Sequence, residues 1–184
     1  MTKIYPEIYK VGAKDELGDR EWRKEMIIYY LLALVILAVD QLTKWLVVRF
    51  MSVGQSIPII DGLFYFTSHR NKGAAFGILQ NQRIFFILVT AAVVAGVIYY
   101  LWRVKGQKRL LSVALSLLLG GALGNFIDRL FRGEVVDFFD VKIPLGTFYY
   151  DFPIFNVADS AMVIGVIILL IDTLLEGRKE ARQG

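Results

Sequence analysis

The chain has 184 residues, of which 56% are hydrophobic and 21% are charged, and its formal net charge at pH 7 is +4. This apolar share exceeds what a soluble domain of that length needs for its core, so it favours a membrane protein with a few spans and short loops. The modest, dispersed charge gives no indication of nucleic-acid binding. The absence of cysteine removes disulfides and thiolate chemistry, and a single histidine, His69, excludes zinc motifs of the H-E-x-x-H kind. We therefore expect no metal and no other cofactor.

Four apolar segments predict four transmembrane helices. They cover residues 26–48, 84–102, 110–127 and 154–175, and each is close to the ~20 residues needed to cross a hydrocarbon core about 30 Å thick. A buried helix of a soluble protein is the alternative for any one segment, but four in so short a chain favour membrane spans. The first segment could instead be a cleaved signal peptide. Because it follows a charged head and ends in DQLTKW rather than in small residues, we expect it to be retained.

Basic residues predict the orientation of these spans. Residues 1–25 contain six Lys or Arg, the loop 103–109 contains four and no acidic residue, and the tail 176–184 contains three. By the positive-inside rule, both termini and the 103–109 loop are then cytoplasmic. Residues 49–83 and 128–153 lie on the other side.

The expected fold class is an all-α membrane protein with four transmembrane helices, a small extracytoplasmic β element and both termini cytoplasmic. Its parts are a charged cytoplasmic extension (1–25), a four-helix domain (26–175) and a basic cytoplasmic tail (176–184). The β element is predicted where IPII and LFYF flank Asp61-Gly62, a pair typical of hairpin turns. The aromatic stretch 146–155 is expected in the belt at the membrane interface.

Charged side chains from separate parts of the chain are predicted to meet at the outer membrane boundary. Asp40 and Lys44 lie near the outer end of the first helix, Asp128 ends the third, and Asp159 begins the fourth. Asp137 lies in the loop that joins the last two. A charge within a span costs about 2.5–3.5 kcal/mol on insertion scales, so such residues usually face a shared polar interior. We therefore expect one polar site at this level.

Two of these carboxylates are candidates for acid–base chemistry. In a partly dry site, one carboxyl group keeps a proton while its neighbour acts as general base on water. Asp137 and Asp159 suit these roles, and no Gly-x-Ser-x-Gly elbow offers a serine nucleophile. Taken singly, Asp159 is better explained by a favourable interaction with a helix macrodipole, and Asp137 is equally well explained by a solvated loop.

Five motifs occur in a recognisable order along the chain. They are DQLTK (40–44), NKGAAFG (71–77), GGALGNFIDR (120–129), GEVVDF (133–138) and FNVADS (155–160). Together with the four spans, they resemble the bacterial lipoprotein signal peptidases, the signal peptidase II family. The resemblance implies a metal-independent intramembrane aspartyl endopeptidase that removes the signal peptide from prolipoproteins and cuts before a diacylglyceryl-modified cysteine. It also implies that Asp137 and Asp159 are the catalytic pair.

The resemblance further implies a setting and partners. The protein is expected to be a multi-pass protein of the bacterial cytoplasmic (inner) membrane, with its active site at the extracytoplasmic face. Expected partners are a diacylglyceryl-modified prolipoprotein, membrane lipids and globomycin-like cyclic peptide inhibitors. We expect a monomer.

The same motifs contain residues with expected binding or supporting roles. Asn71 and Arg129 resemble positions that hold the substrate backbone, and Gly73 is a supporting residue of the NKGAAFG motif. Asn125 and Asn156 each precede an aspartate by three residues, which places each pair on one face if both stretches are helical. Both asparagines are expected to orient the carboxylates by hydrogen bonds.

The remaining charged residues are expected to be structural. For Asp128 we favour an ion pair with Lys44 or Arg129, with a catalytic-acid role as the alternative. Asp40 and Lys44 are spaced i and i+4 and are expected to pair. The alternative for Lys44 is snorkelling to the interface.

Other features have simpler structural explanations. Gly120, Gly121 and Gly124 are explained as small residues that let membrane helices pack closely. His69 is expected to be an exposed loop histidine. The segment between Asp137 and Asn156 is longer than the resemblance predicts, so the shape of the lid over the site cannot be predicted from the sequence.

Two other classes of function remain open. Intramembrane Asp, Lys and Arg also line ion pathways in transporters, but those usually lie near the midplane and recur in two halves. Here the charges lie toward one surface, and the sequence has no internal repeat. A non-catalytic assembly subunit would not need Asp137 and Asp159.

Overall fold

A computed structural model describes residues 7–73, 79–106, 108–146 and 148–181, with side chains from residue 22 onward except that of residue 180. The first six residues of the predicted extension, the last three of the tail, and the part of the NKGAAFG motif that follows Gly73 lie outside the described residues. Within these ranges the chain forms four helices and four strands. In chain order they are α1 (Glu7–Phe50), β1 (Ser56–Ile60), β2 (Phe64–Asn71), α2 (Arg83–Val104), α3 (Arg109–Phe131), β3 (Val135–Leu145), β4 (Phe148–Asp151) and α4 (Val157–Glu180).

Each helix contains a stretch long and apolar enough to cross a membrane. These stretches are Trp22–Phe50, Arg83–Val104, Arg109–Phe131 and Val157–Lys179. The prediction of a mainly helical membrane fold with four spans and a small β element is confirmed. The helices extend beyond the predicted segments at several ends because charged residues such as Arg109 and Arg129 continue the helical backbone after the apolar run has stopped.

The first helix runs through the boundary predicted at residue 25 without a break. It begins at Glu7, and Trp22 packs against a buried cluster that includes Met26 and Tyr29. The same cluster contains Leu101 of α2, so the start of the first span is held against its neighbour. The division into extension, domain and tail stays a prediction.

The central helix of the bundle is α3. It contacts the other three helices, and 61% of its apolar stretch is buried, against 11–22% for the other spans. Glycines allow this close approach: a Cβ on Gly120 would lie 2.6 Å from the carbonyl oxygen of Ala33, and one on Gly121 would lie 2.5 Å from that of Ala158. The prediction that these glycines serve helix packing is confirmed.

The strands form one antiparallel sheet in the order β1-β2-β3-β4. The predicted hairpin is present as β1 and β2, which turn at Asp61 and Gly62, and Gly62 adopts the left-handed φ of 72° that the turn requires. The strand β4 was not predicted, because four residues with three consecutive aromatics give no alternating pattern.

The prediction that Asp137 lies in a loop is wrong, because it lies in β3. The β-branched and aromatic residues around it favour a strand. Val136 and Phe138 are buried in a cluster with Val47 of α1. This contact packs the sheet against the end of the first span and places Asp137 beside the helices.

Candidate active site

The start of α4 is shaped by a capping box. Asn156 is the N-cap, and its side-chain oxygen accepts a hydrogen bond from the backbone N–H of Asp159 at 2.9 Å. In return Asp159 Oδ2 accepts from the backbone N–H of Asn156 at 3.1 Å. Such a reciprocal pair fixes the first turn of a helix. The helix-terminus role considered for Asp159 is therefore present, and it leaves Oδ1 available to the site.

A short stretch of strand pairing brings β3 beside this helix start. Phe138 and Phe139 donate their backbone N–H groups to the carbonyl oxygen of Phe155, at 3.0 and 2.8 Å, and Phe155 donates back to Phe139 at 3.1 Å. Asn156 follows directly. Its side-chain amide donates to Asp137 Oδ1 at 2.7 Å, which joins the strand carboxylate to the helix cap.

Asp137 is buried, with 1% of its surface exposed. A second amide holds its other oxygen: Asn71 Nδ2 donates to Asp137 Oδ2 at 3.0 Å. The pairing of β2 with β3 positions this contact, since Asn71 lies opposite Val135 in the sheet. The side-chain oxygen of Asn71 also accepts from the backbone N–H of Gly73 at 2.9 Å, which orders the turn that follows the strand.

The protonation of Asp137 is perturbed. Burial, and then the negative charge of Asp159, raise the pKa of Asp137 to about 7, against a smaller opposing effect of its hydrogen bonds to Asn71 and Asn156. Both causes disfavour the charged form of a carboxylic acid. At neutral pH, this side chain is therefore close to the midpoint between its acid and its carboxylate.

A second charged cluster is centred on Lys44. Its Nζ lies 2.9 Å from Asp40 Oδ2 and 3.0 Å from Asp128 Oδ2, and none of the three side chains is exposed. The expected pairs of Lys44 with Asp40 and with Asp128 are both confirmed. Snorkelling of Lys44 to the interface is wrong, because two carboxylates from different helices retain the ammonium group in the interior.

These carboxylates also bind the backbone of neighbouring elements. Asp40 Oδ1 accepts from the N–H of Ala158 at 2.9 Å, and Asp128 Oδ2 accepts from the N–H of Val136 at 3.2 Å. The Lys44 cluster therefore ties α1 and α3 to the start of α4 and to β3. Neither backbone contact could be predicted from the sequence, because every residue except proline has the same backbone N–H group.

Asn125 connects the two sets of carboxylates. Its Oδ1 accepts from Lys44 Nζ at 2.8 Å, and its Nδ2 donates to Asp159 Oδ1 at 2.7 Å. An ammonium group can only donate, so Lys44 fixes which end of the amide faces Asp159. The expectation that Asn125 orients a carboxylate is confirmed. The i,i+3 pairing behind it is wrong, because Asn125 reaches across to α4 instead of bonding Asp128.

Arg129 faces the site without pairing with Asp128. Its Nη2 donates to the carbonyl oxygen of Gly73 at 3.2 Å. The alternative prediction, an ion pair of Asp128 with Arg129, is therefore wrong for the described part of the chain. An ion pair with Arg132 takes that place, with Nε of Arg132 3.3 Å from Asp128 Oδ1.

A cavity of about 570 Å³ contains the polar groups predicted for the site. Its polar lining consists of Asn71, Gly73, Asn125, Arg129, Asp137, Asp159 and Ser160. The rest of its lining is apolar and comes from Val135 and from the segment around the start of α4, namely Phe152, Pro153, Ile154, Phe155, Met162, Val163 and Ile164. The apolar part of this cavity can accommodate an apolar chain, and its two carboxylates can exchange protons with water or with a polar group bound beside them.

The structure therefore collects six of the ten predicted site residues around the cavity. The others, Asp40, Lys44, Asp128 and Asn156, lie behind it and hold its walls. His69 is exposed on β2, as expected, although it lies in a strand. In the described ranges, no group of three or more His, Cys, Asp or Glu is placed to hold a metal ion.

Four apolar helices, with two aspartates that each accept hydrogen bonds from asparagine amides beside one cavity, are the features expected of a membrane enzyme of the aspartic-peptidase class. Comparison with known proteins agrees: the model for the family described as signal peptidase (SPase) II matches residues 32–175. The chain belongs to the signal peptidase II family.

Similar proteins cover most of the chain. It is 56% identical over 157 residues to the lipoprotein signal peptidase of Bacillus subtilis (strain 168), which covers 85% of this chain and 99% of that protein. The lipoprotein signal peptidase of Halalkalibacterium halodurans is 54% identical over the same length, with 85% and 98% covered. A solved bacterial membrane enzyme matches with a TM-score of 0.71 at 41% identity, over 82% of this chain and 89% of its own. A second, at 42% identity, has a TM-score of 0.68 and covers 80% and 92%. The chain is thus a multi-pass membrane protein.

Proposed function

We propose that the chain is an aspartic endopeptidase that removes the signal peptide from prolipoproteins, cutting before the diacylglyceryl-modified cysteine. Asp137 and Asp159 are the proposed catalytic dyad. The observation that carries this proposal is their common setting: each accepts hydrogen bonds from asparagine amides, and both line the same cavity.

The dyad works with a single proton in this proposal. Asp137, with its pKa near 7, holds the proton and polarises the scissile carbonyl, while Asp159 accepts a proton from the attacking water. The water oxygen bonds to the carbonyl carbon and forms a tetrahedral intermediate. When the C–N bond breaks, the proton held by the dyad passes to the leaving amine, which becomes the new amino terminus of the lipid-modified cysteine.

Arg129 is proposed to hold the substrate backbone. Arginine stays charged and donates several hydrogen bonds from a planar group, so it suits peptide carbonyls at a cavity edge. Its contact with the carbonyl of Gly73 supports this role, because it places the guanidinium within the cavity lining. Asn71 is proposed to contribute both to substrate binding and to the position of Asp137.

The proposed setting follows from charge and hydropathy. Both termini and the 103–109 loop are proposed to lie on the cytoplasmic side of a bacterial inner membrane, and the sheet and the dyad on its extracytoplasmic side. The apolar side of the cavity, which includes Met162 and Ile164, is proposed to receive the apolar part of the substrate. Globomycin-like cyclic peptides are proposed to compete for this cavity, and the enzyme is proposed to act as a monomer.

The direct test is cleavage of a diacylglyceryl-modified prolipoprotein by the purified protein, followed as a gel shift. Conversion to the mature form with chelator present, and its loss on addition of a globomycin-like peptide, are the expected results. Loss of cleavage with EDTA and its recovery with zinc would contradict the aspartyl assignment. No conversion of the modified substrate under any condition would contradict the proposed function itself.

A further inference from the structure

Arg83, the first residue of α2, binds the C-terminal end of α3. The last carbonyl groups of a helix have no donor within the helix. Here Arg83 supplies donors to two of them: its Nε donates to the carbonyl oxygen of Arg129 and its Nη2 to that of Leu130, each at 2.8 Å. A cation is also favoured at this end by the helix dipole. Arg83 thus caps the turn from which the Arg129 side chain projects.

The same arginine lies across the bend that leads from α3 into β3. Asp128 accepts backbone hydrogen bonds from Arg132 and Gly133 at 2.7 and 3.2 Å, and Gly133 adopts a left-handed φ of 81°. Arg83 Nη1 lies 3.5 Å from the position a Cβ on Gly133 would occupy. Movement of Arg83 would therefore affect both the end of α3 and the start of β3, the strand that carries Asp137.

One turn further along α2, Phe86 contacts the side chain of Arg129. The guanidinium carbon lies 4.7 Å from the centroid of the Phe86 ring, within the range of a cation–π contact. On another side, the guanidinium donates to the carbonyl oxygen of Gly73. The first turn of α2 therefore holds Arg129 twice, with Arg83 on its backbone and Phe86 on its side chain.

We infer that Arg83 and Phe86 are positioning residues for Arg129 and act on substrate binding through it. This inference rests on the proposed function, because the role of Arg129 in binding does. These contacts restrict the orientations of the Arg129 side chain, so less of the free energy of substrate binding is lost in ordering that side chain. A lysine at position 83 keeps the charge and loses the two fixed, parallel donors.

The test is steady-state kinetics of Arg83→Gln, Arg83→Lys and Phe86→Leu on the modified prolipoprotein. If the lost capping weakens substrate binding by about one net hydrogen bond, Arg83→Gln raises KM about fivefold, with kcat within a factor of ~2 of the wild type. Phe86→Leu raises KM about two- to fivefold by loss of the ring contact. Arg83→Lys is expected to lie between the wild type and Arg83→Gln.

Two matched variants control for charge and for ring loss. Arg103→Gln removes an arginine from the other end of α2, and Phe131→Leu removes an exposed aromatic from the end of α3. Both are expected to keep the wild-type KM. The double variant Arg83→Gln/Arg129→Gln is expected to have the same KM as Arg129→Gln alone, because Arg83 acts through Arg129.

Three results would overturn the inference. One is a wild-type KM for folded Arg83→Gln and Phe86→Leu. The second is a fall in kcat and in thermal stability without a change in KM, which indicates a merely structural role. The third is an additive KM effect in the double variant, which indicates that Arg83 acts independently of Arg129. Failure of the proposed function is distinct from all three, because the wild-type protein would then not cleave the substrate.

Discussion

Two pairs of carboxylates lie side by side in this protein, and they differ in what lies between them. Asp40 and Asp128 share an ammonium group, that of Lys44, at about salt-bridge distance on each side. Asp137 and Asp159 are held by neutral amides, from Asn71, Asn125 and Asn156. A cation between two carboxylates attracts both of them, whereas neutral amides leave the two negative charges to repel each other. The first pair is suited to hold helices together, and the second to share a proton.

The connection between the pairs is Asn125. Because Lys44 occupies its oxygen, its amide nitrogen is directed at Asp159. The lysine cluster therefore does more than fill the interior, since it sets the orientation of a donor to the proposed dyad. This difference in role predicts that substitutions in the two pairs change different measurable quantities.

The largest effect is expected on activity, from Asp137→Asn and Asp159→Asn. Asparagine is nearly isosteric but neither accepts the proton from water nor supplies a carboxylic one, so each variant should lose about 10²–10⁴-fold in kcat, the usual contribution of general acid–base catalysis. Both should remain folded and inserted. The measurement is prolipoprotein cleavage, alongside thermal unfolding in detergent.

Asp128→Asn is the matched control for that prediction. It is expected either to keep measurable activity or to lose activity together with stability, because Asp128 pairs with Lys44 and binds the backbone of Val136. A stable, inactive Asp128→Asn beside an active Asp137→Asn would assign the dyad to Asp128 and Asp159 and would reverse the comparison.

A large effect on stability is expected from Lys44→Met. Removal of the ammonium group leaves Asp40 and Asp128 buried without their shared partner, and breaking a buried ion pair on one side costs about 3–5 kcal/mol. Lys142→Met is the control, since Lys142 is 37% exposed and its pair with Asp151 is 3.8 Å long. Surface pairs contribute only about 0–1 kcal/mol. Equal unfolding midpoints for the two variants would contradict the structural role of the lysine cluster.

The sequence predicts the spans better than it predicts the strand that carries Asp137. The four spans follow from hydropathy, which is a property of consecutive residues, and the carboxylates were expected at one level because helix rise fixes their depth. The loop predicted around Asp137 was wrong, since the charges of GEVVDFFD obscured a strand that is buried by contacts with α1. Strand formation there depends on a surface that lies far away in the sequence.

The hydrogen-bond partners were the least predictable part of the site. Spacing placed Asn125 with Asp128, but the crossing of α3 and α4 brings it to Asp159. In the same way, the choice between snorkelling and burial for Lys44 depends on Asp128, which is on another helix. Such contacts are set by how elements pack, and one-dimensional patterns hold little information about them.

A smaller loss of stability is expected from Gly124→Ala. The added methyl group would meet the Oδ2 atom of Asp40, the atom that binds Lys44. Forcing extra volume into a packed interior typically costs about 1–3 kcal/mol. Gly96→Ala is the matched control, because a Cβ there has no neighbour within 4 Å and alanine is the better helix former by about 0.5–1 kcal/mol. Equal stability of Gly124→Ala and Gly96→Ala would mean that the packing around Asp40 and Lys44 accommodates the added methyl group, which would contradict the structural role of this cluster.

The smallest expected effect is a shift in the pH dependence of activity, and it concerns only Asp137 and Asp159, the amide-held pair. The pKa of Asp137 is raised to about 7, so Asp137 is protonated below that pH and ionised above it. A dyad that needs this proton should lose kcat/KM as the pH rises through about 7, the value set by burial and by Asp159. The hydrogen bond from Asn71 favours the ionised form and lowers this pKa. Asn71→Leu should therefore raise the pKa of Asp137 and move the alkaline limb of the profile to higher pH.

The prediction concerns the pH at which kcat/KM falls and not the maximal value of kcat/KM, because Asn71 is also proposed to bind substrate. Thr67→Val is the matched control: Thr67 lies on the same strand and donates to Asp140, outside the dyad, at 2.6 Å. Its profile should coincide with that of the wild type. A wild-type kcat/KM that rises through about pH 7 instead of falling, with that limb moved to higher pH in Asn71→Leu, would mean that the activity depends on the ionised form of Asp137, and the proton would then have to reside on Asp159. The two aspartates would exchange roles, while the contrast between an amide-held pair and a lysine-held pair would stand.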